Sequence, residues 1–273
     1  MPSSFKRASI FISPPTLEWM RRLYAMTRCL SKQTSARLKN AAEHLNLLLA
    51  RMITTIIFDL DGLLADTERL HCQAYRDALG AENIALSEAE YAEHWVRCGK
   101  GIAEWLAARG HTQDPLAVRA VKSKRYLDLL ACELKPMAGA LELLDALHGR
   151  KKVGLASSSY RDAVDGVLGG LKIGHYFQAI VSGLDVERVK PAPDIFLAAA
   201  KQLDAAPAEC LVLEDAEKGI IAAHAAGMRS VAVPNDYTRH HDFSKATAVC
   251  ASLSEISIDS LETLDRLAPK QVL

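Results

Sequence analysis

The chain contains 273 residues, enough for one large domain or for a core with an insertion. Charged residues make up 24 % and hydrophobic residues 49 % of it, an ordinary globular composition, and no apolar run approaches the roughly 18–20 residues of a membrane-spanning helix. The formal net charge is zero, but beyond residue 51 there are 24 basic and 31 acidic residues, and this acidic body argues against nucleic acid as the main partner.

Residues 1–51 differ in composition from the rest of the chain. They hold nine basic against two acidic residues and are rich in Ser and Thr, and residues 35–49 have the apolar spacing of a helix. Such a segment is typical of an organelle transit peptide. It also fits upstream sequence from a wrongly assigned start, the interpretation we favour, because Met52 directly precedes the first predicted strand. We expect no chemistry in this segment, and a cytoplasmic protein unless the segment is a transit peptide.

Two aspartates follow the first predicted strand. Residues 53–58 form a short, β-branched apolar run, which predicts a strand buried on both faces. Asp59 and Asp61 come next, and Gly62 opens a loop behind them. Side chains two apart in an extended backbone point to the same side, so both carboxylates face one small volume, where like charges need a cation or a proton between them. A solvated turn is the alternative interpretation of this motif by itself.

Strand patterns are absent from Thr67 to about Leu134. Apolar spacing predicts helices over residues 67–79, 87–96, 102–109 and 115–134, with Ser87 and Asp114 as N-caps and Gly99-Lys100-Gly101 as a loop. We therefore expect residues 67–135 to form a helical cap domain inserted after the first strand.

Strands and helices alternate beyond Pro136. The pattern predicts strands at 152–156, 179–182, 210–213 and 230–233, and helices at 139–148, 161–168, 194–203 and 218–226. Alternation at this spacing predicts a parallel sheet covered by helices on both faces, with the ligand at the carboxyl ends of the strands. The predicted α/β core comprises residues 52–66 and 136–273.

Polar residues collect at four of these strand ends. Ser157 follows the second strand, Lys190 the third and Glu214-Asp215 the fourth, in addition to the two aspartates after the first. Carboxylates without histidine or thiolate nearby favour Mg²⁺, and a hydroxyl with a backbone N–H can hold a phosphate oxygen. The set suits a phosphate dianion attacked by a carboxylate, because the metal and the lysine shield the two from repulsion. Singly, each residue also fits a surface or turn position.

Together these motifs resemble a known family. Asp59-Leu60-Asp61-Gly62, Ser157, Lys190-Pro191 and Glu214-Asp215 resemble the four motifs of the haloacid dehalogenase-like (HAD) superfamily of phosphotransferases. The resemblance is closer to the branch that contains β-phosphoglucomutase and small sugar-phosphate phosphatases, and it covers residues 52 to about 235. It implies a Rossmann-like parallel sheet core with an inserted α-helical cap.

The resemblance also implies roles for individual residues. Asp59 would be the nucleophile that forms an aspartyl-phosphate, and Asp61 would act as acid and then as base while its backbone carbonyl binds Mg²⁺. Ser157 and Lys190 would hold the phosphoryl group, and Glu214 and Asp215 would position the metal together with Asp59. The function implied is a Mg²⁺-dependent phosphatase for a small sugar or polyol phosphate, and we expect a monomer whose partner is that phosphorylated metabolite.

A phosphosugar mutase is the main alternative. The sequence keeps His71 at the spacing of the mutase histidine, but Ile102 stands where the mutase has a cap arginine, and Tyr160-Arg161 replace its Lys-Asn. These differences favour hydrolysis, although Lys100 or Arg161 would be able to substitute. A non-catalytic binding module and a dehalogenase are further alternatives. The expected substrate-binding residues are His71, Arg97, Lys100 and Ser158. Trp95 is a further candidate for specificity in the cap, although Trp95 and Trp105 are more often core residues than substrate platforms.

The six cysteines of the chain carry no metal or disulfide pattern. They are scattered, with no C-x-x-C pair and no short Cys/His spacing. This pattern indicates free thiols in a reducing compartment.

Overall fold

Six strands form one sheet in the computed structural model, which describes residues 52–264. The strands are β1 Thr55–Phe58, β2 Lys152–Ala156, β3 Ala179–Val181, β4 Cys210–Glu214, β5 Arg229–Ala232 and β6 Ala248–Val249. They lie in the order β3-β2-β1-β4-β5-β6, and each neighbouring pair is parallel. The predicted parallel sheet is confirmed, whereas the predictions for residues 1–51 lie outside the described residues.

Helices cover the sheet and fill the insertion after β1. The α-helices of the described residues are α1 Glu68–Gly80, α2 Glu88–Tyr91, α3 Ile102–Ala108, α4 Pro115–Glu133, α5 Ala140–Leu147, α6 Arg161–Leu171, α7 Asp194–Gln202, α8 Glu217–Ala225 and α9 Ile258–Leu264. Short 3₁₀ turns lie at Gly174–Tyr176, Pro207–Glu209 and Leu253–Glu255.

Strand β1 lies at the centre of the sheet and contributes to both helix layers. Its four residues are all buried, as its apolar run predicted. Ile56 and Phe58 belong to the apolar core that contains α5 and α6, and Ile57 belongs to the core that contains α7 and α8. Alternate residues of a strand point to opposite faces, so a continuous apolar run is what a strand between two helix layers requires.

Helices α1 to α4 form the inserted cap. Helices α1 and α4 pack along each other, and a separate apolar cluster that includes Trp105 gives the insertion its own core. The predicted caps are present: Ser87 Oγ accepts from the backbone N–H of Glu90 at 3.2 Å, and Asp114 Oδ1 accepts from that of Leu116 at 3.0 Å. The helical cap is confirmed, while its proposed boundaries at residues 67 and 135 stay a prediction.

The prediction of one α-helix over residues 87–96 is wrong in detail. Helix α2 ends at Tyr91, and Ala92–Arg97 continues as a π-helix. The wider turn shows in the 3.0 Å bond from the Cys98 N–H to the Glu93 carbonyl, five residues back. Apolar spacing cannot separate α from π geometry over so few residues. Strand β6 and helix α9 were not predicted either, because a two-residue strand has no period and α9 is short.

No helix within residues 52–264 combines the length and the apolar character that a bilayer crossing needs. The cysteines in this range are free thiols, as their scattered positions predicted: Cys72, Cys98, Cys132, Cys210 and Cys250.

Candidate active site

The carboxyl ends of the central strands open into a cavity of about 440 Å³ that the cap also lines. The predicted site residues on its wall are Asp59, Asp61, Ser157, Ser158, Lys190, Glu214 and Asp215 from the sheet side, and His71 and Lys100 from the cap. Arg97 is not on this wall. Its side chain is 53 % exposed and lies 3.4 Å from Glu93 and 3.7 Å from Glu217, because the last turn of the π-helix directs it outward.

Three carboxylates and one lysine form a buried cluster at the ends of β1 and β4. One oxygen from each of Asp59, Glu214 and Asp215 lies within 4.8 Å of the others. Lys190, whose side chain is 1 % exposed, donates from Nζ to Asp59 Oδ1 and, at 2.8 Å, to Glu214 Oε1. Three carboxylates and one ammonium leave two negative charges uncompensated, which is the charge that one divalent cation would neutralise.

The pKa values of the cluster reflect this surplus of negative charge. Burial, with the nearby charges of Glu214 and Asp61, raises the pKa of Asp59 to about 8. Burial, with the nearby charges of Glu214 and Asp59, raises the pKa of Asp215 well above its ordinary value. Although burial opposes it, the charges of Asp59 and Glu214 also raise the pKa of Lys190. An oxygen-only donor set with excess negative charge fits Mg²⁺.

Asp61 points away from this cluster and accepts hydrogen bonds at both carboxylate oxygens. Its Oδ1 accepts from Thr67 Oγ1 at 2.7 Å and lies 3.1 Å from His71 Nε2. Its Oδ2 accepts from Ser159 Oγ at 2.7 Å and from Ser157 Oγ at 3.2 Å. Burial works against the charged form, but the charge of His71 and these hydrogen bonds hold the pKa of Asp61 below its ordinary range. The carboxylate is therefore held ionised and able to accept a proton.

Lys122 of helix α4 supports the histidine beside Asp61. Its Nζ lies 2.6 Å from His71 Nδ1, and the ring of His71 stacks on Tyr126 with centroids 3.9 Å apart. Whether the shared proton sits on Lys122 or on Nδ1, Nε2 keeps its hydrogen and donates to Asp61. Burial lowers the pKa of Lys122 to about 8. We did not predict this residue, although it shares a helix face with the buried Val118 and Tyr126, an unusual place for a lysine.

Glu214 has a fixed position because both of its oxygens are bound. While Oε1 accepts from Lys190, Oε2 accepts from the backbone N–H of Ala216 at 2.8 Å. Helix α8 passes directly over this side chain at Gly219, where an added Cβ would lie 1.8 Å from Glu214 Oε1. Only glycine fits at this position, so the approach of α8 depends on it.

Asp215 is held by a residue beyond the fifth strand. Asn235 donates from Nδ2 to Asp215 Oδ2 at 2.7 Å and to the carbonyl of Gly62 at 3.0 Å. Gly62 has a φ of +80°, and a Cβ there would lie 2.6 Å from Asp215 Oδ2. Asn235 was not predicted, although it follows a strand end, because an asparagine in a loop is an ordinary turn residue.

Of the residues that separate mutase from phosphatase in the sequence, Ile102 and Arg161 lie away from the cavity wall, whereas Tyr160 is on it. Ile102 is 7 % exposed in the apolar core of the cap, and Arg161 pairs with Asp165 at 2.9 Å on the surface. Arg119 of α4 and Tyr160, which we did not predict as site residues, do line the cavity. Of the two tryptophans, Trp105 is fully buried in the cap core, whereas Trp95 lines the cavity.

Comparisons with known proteins agree with this geometry. The family model for haloacid dehalogenase-like hydrolases matches residues 53–227. The protein CbbY of Rhodobacter capsulatus is 31 % identical over 232 residues, which cover 78 % of this chain and 99 % of CbbY. The fructose-1-phosphate phosphatase YqaB of Escherichia coli is 32 % identical over 184 residues, covering 65 % of this chain and 95 % of YqaB. The crystal structure of β-phosphoglucomutase from Clostridium difficile superposes with a TM-score of 0.67 at 28 % identity, covering 78 % of this chain and 97 % of the mutase.

Proposed function

This chain belongs to the haloacid dehalogenase-like hydrolase family, and from that membership we propose that it is a Mg²⁺-dependent phosphatase acting on a small sugar or polyol phosphate through an aspartyl-phosphate. Its family and its phosphatase relatives make it an enzyme of the phosphatase type. The observation that carries the finer proposal is the buried cluster of Asp59, Lys190, Glu214 and Asp215, since a neutral ligand needs no such concentration of charge.

Asp59, Glu214 and Asp215 are the side chains that would hold Mg²⁺, with the backbone carbonyl of Asp61 proposed as a further ligand. A bound Mg²⁺ would shield the nucleophile from the negative charge of the phosphate. Asn235 and Lys190 hold Asp215 and Glu214 in place, so the donor set is arranged by groups outside it.

In the proposed first step a carboxylate oxygen of Asp59 attacks phosphorus, and the bond from phosphorus to the leaving oxygen breaks. Lys190 and Ser157 hold the phosphoryl oxygens during this transfer. Asp61 gives a proton to the leaving oxygen, and the arriving dianion favours that proton because like charge raises the pKa of a carboxylate. In the second step water attacks phosphorus, Asp61 takes its proton, and the bond to Asp59 breaks. Dividing one slow hydrolysis in this way lowers the barrier of each step.

The Asp61 environment supports this acid–base role. Thr67, His71 and two serines contact the carboxylate oxygens of Asp61. These hydrogen bonds stabilise the negative charge that the carboxylate carries once it has given up its proton. Without such donors a buried carboxylate would remain protonated and could not serve as the base of the second step.

Hydrolysis is favoured over mutase activity by Ile102 and Arg161, which stand at positions where the mutase has its phosphate-binding side chains. A mutase must hold the second phosphate of a bisphosphate while the intermediate turns around. Ile102 is packed in the cap core and Arg161 is engaged with Asp165, so neither supplies that contact. His71 beside Asp61 and the likeness to β-phosphoglucomutase keep the mutase as second candidate.

The nucleophile is tested by Asp59→Asn. We expect phosphate release from sugar monophosphates to fall below detection with the fold unchanged by circular dichroism, because an amide cannot form the acyl-phosphate. Asp165→Asn is the matched control, since its side chain is 55 % exposed, and it should retain full activity. Turnover near wild type in Asp59→Asn would remove the mechanism.

The metal is tested by chelation. EDTA should abolish turnover and Mg²⁺ should restore it, whereas Ca²⁺ should bind and inhibit because its coordination is larger and looser. Full activity in EDTA would show that the cluster has another purpose.

Hydrolase and mutase activity are distinguished by measuring the two possible products that form from a single substrate. With β-glucose 1-phosphate and a trace of glucose 1,6-bisphosphate, we expect inorganic phosphate and little glucose 6-phosphate. Isomerisation much faster than phosphate release would establish the mutase.

We also propose a division of the chain into a cap of residues 67–135 and a core of residues 52–66 and 136–273. The protein would act as a monomer on a small phosphorylated metabolite in the cytoplasm, or in an organelle if residues 1–51 are a transit peptide.

A further inference from the structure

Arg119 of helix α4 lies on the cavity wall and has no ion-pair partner among the described residues. Its Cζ stands 3.3 Å from the centroid of the ring of Tyr160, the N-cap residue of helix α6, which also lines the cavity. Among residues 52–264 no carboxylate forms an ion pair with Arg119, and its Nε is buried without a hydrogen-bond partner. Tyr160 is 42 % exposed, so this contact lies towards the opening of the cavity.

The other cations of the wall are occupied, with one exception. Lys190 is bound in the carboxylate cluster, Lys122 contacts His71, and Lys218 donates to the carbonyl of Trp95 at 2.8 Å. Lys100, which is exposed, is the exception. Arg119 is therefore the partly buried cation of the described wall that retains binding capacity.

The acidic side chains of the wall do not cancel this charge. Glu68 accepts from the Tyr91 hydroxyl at 2.5 Å, and Glu104 accepts from the Gly101 N–H at 3.1 Å. Asp162 lies on the wall too, and within residues 52–264 it forms no ion pair with Arg119.

Stacking gives Arg119 a defined recognition geometry. A guanidinium that contacts the face of an aromatic ring can still offer its N–H donors to a ligand, and their planar fork matches the two oxygens of a carboxylate or phosphate. The ring also restricts the side chain before the ligand arrives, which lowers the entropy lost on binding. Such a guanidinium therefore suits an anionic group of the ligand better than a neutral hydroxyl.

We propose that Arg119, oriented by Tyr160, is the specificity-determining residue for a second anionic group on the substrate, remote from the phosphate that is hydrolysed. The substrate class is then a phosphomonoester that carries a carboxylate or a further phosphate on its carbon chain. Ser158 Oγ, which is buried on the same wall without a partner among the described residues, would bind a hydroxyl of that chain. This inference deepens the proposed phosphatase function and rests on it.

The test compares substrates that differ only in the remote group. Glycerol 3-phosphate and 3-phosphoglycerate differ by a carboxylate, and fructose 1-phosphate and fructose 1,6-bisphosphate differ by a phosphate. We expect the wild type to favour the anionic member of at least one pair in kcat/KM, and the pair that shows the preference identifies the anion. In Arg119→Met that preference should fall by about 10- to 100-fold, the worth of a charge-assisted hydrogen bond, through KM. The neutral member should change less than about 3-fold.

Two further variants keep the test interpretable. Arg161→Met removes a neighbouring arginine that does not line the cavity, and it should leave all four substrates unchanged. Arg119→Lys retains the charge without the planar fork and should recover only part of the preference, and it replaces Arg119→Met should that variant fail to fold.

The inference is overturned if the wild type prefers neither anionic substrate, or if Arg119→Met lowers both members of a pair equally. Binding of the four compounds to the Asp59→Asn protein, measured by calorimetry, separates this result from failure of the proposed function. If the Asp59→Asn protein binds the anionic compounds more tightly, and if adding Arg119→Met removes this preference, the anion site is supported even if the wild type releases no phosphate. Equal binding of neutral and anionic compounds refutes it whatever the turnover.

Discussion

The substitution Gly219→Ala should cost far more stability than its size suggests. Alanine in place of glycine inside a helix normally stabilises by about 0.5–1 kcal/mol, because glycine loses more backbone entropy on folding. At position 219 the added Cβ would lie 1.8 Å from Oε1 and 1.9 Å from Cδ of Glu214, whereas ordinary contacts begin near 3.4 Å. One of the two groups has to move.

The size of the expected stability loss follows from the contacts that Glu214 makes. It is 1 % exposed and both of its oxygens are bound, so its displacement releases the buried Lys190 from one of its two carboxylate partners. Overpacking costs about 1–3 kcal/mol, and breaking a buried charge pair costs about 3–5 kcal/mol. After the entropic gain we expect a net loss of about 3–7 kcal/mol of stability, together with most of the turnover.

The assay is urea denaturation of the variant beside Gly169→Ala. Gly169 lies within helix α6, and a Cβ there meets no atom within 4 Å, so this control should be as stable as wild type or more stable. Adding Glu214→Asp to Gly219→Ala should return part of the stability, since the side chain is shorter by one methylene. Equal stability and equal turnover in the two alanine variants would refute our account of how α8 and Glu214 fit together.

Three further predictions follow from the same contacts. Asn235→Ala should weaken Mg²⁺ binding, measured by calorimetry, by about 10- to 100-fold, because Asp215 loses the group that orients it; unchanged affinity would contradict this. Burial lowers the pKa of Lys122 from 10.5 to about 8, so between these two pH values the unfolded state binds more protons than the folded state. As the pH rises through this range, the wild type should therefore gain up to about 3 kcal/mol of stability relative to Lys122→Met, measured by urea denaturation. A stability difference that does not change with pH would contradict this prediction. A chain beginning at Met52 should fold with unchanged kcat/KM, because the described catalytic residues belong to one compact unit; loss of folding would place an essential contact in residues 1–51.

The sequence alone determined the sheet and the residues at its carboxyl edge. The run before Asp59 is β-branched and mostly apolar, which is typical of a strand between two helix layers, and β1 is indeed central and buried. In a parallel sheet all carboxyl ends lie at one edge, so motifs that are far apart in the chain were bound to meet there. Asp59, Lys190 and Glu214 therefore were predictable as neighbours from local patterns together with one topological rule.

Only the tertiary structure decided which ordinary residues support that edge. Lys122, Asn235 and Arg119 belong to common types in a helix or loop, and their importance comes from partners 20 to 51 positions away in the sequence. The same holds for Arg97, which the chain pattern placed near the substrate and the π-helix directs outward. Side-chain direction depends on helix geometry and on how the cap packs over the sheet, and neither is encoded in a local period. The sequence specifies the chemistry at the strand ends, and the packing of cap on core selects the residues that surround it.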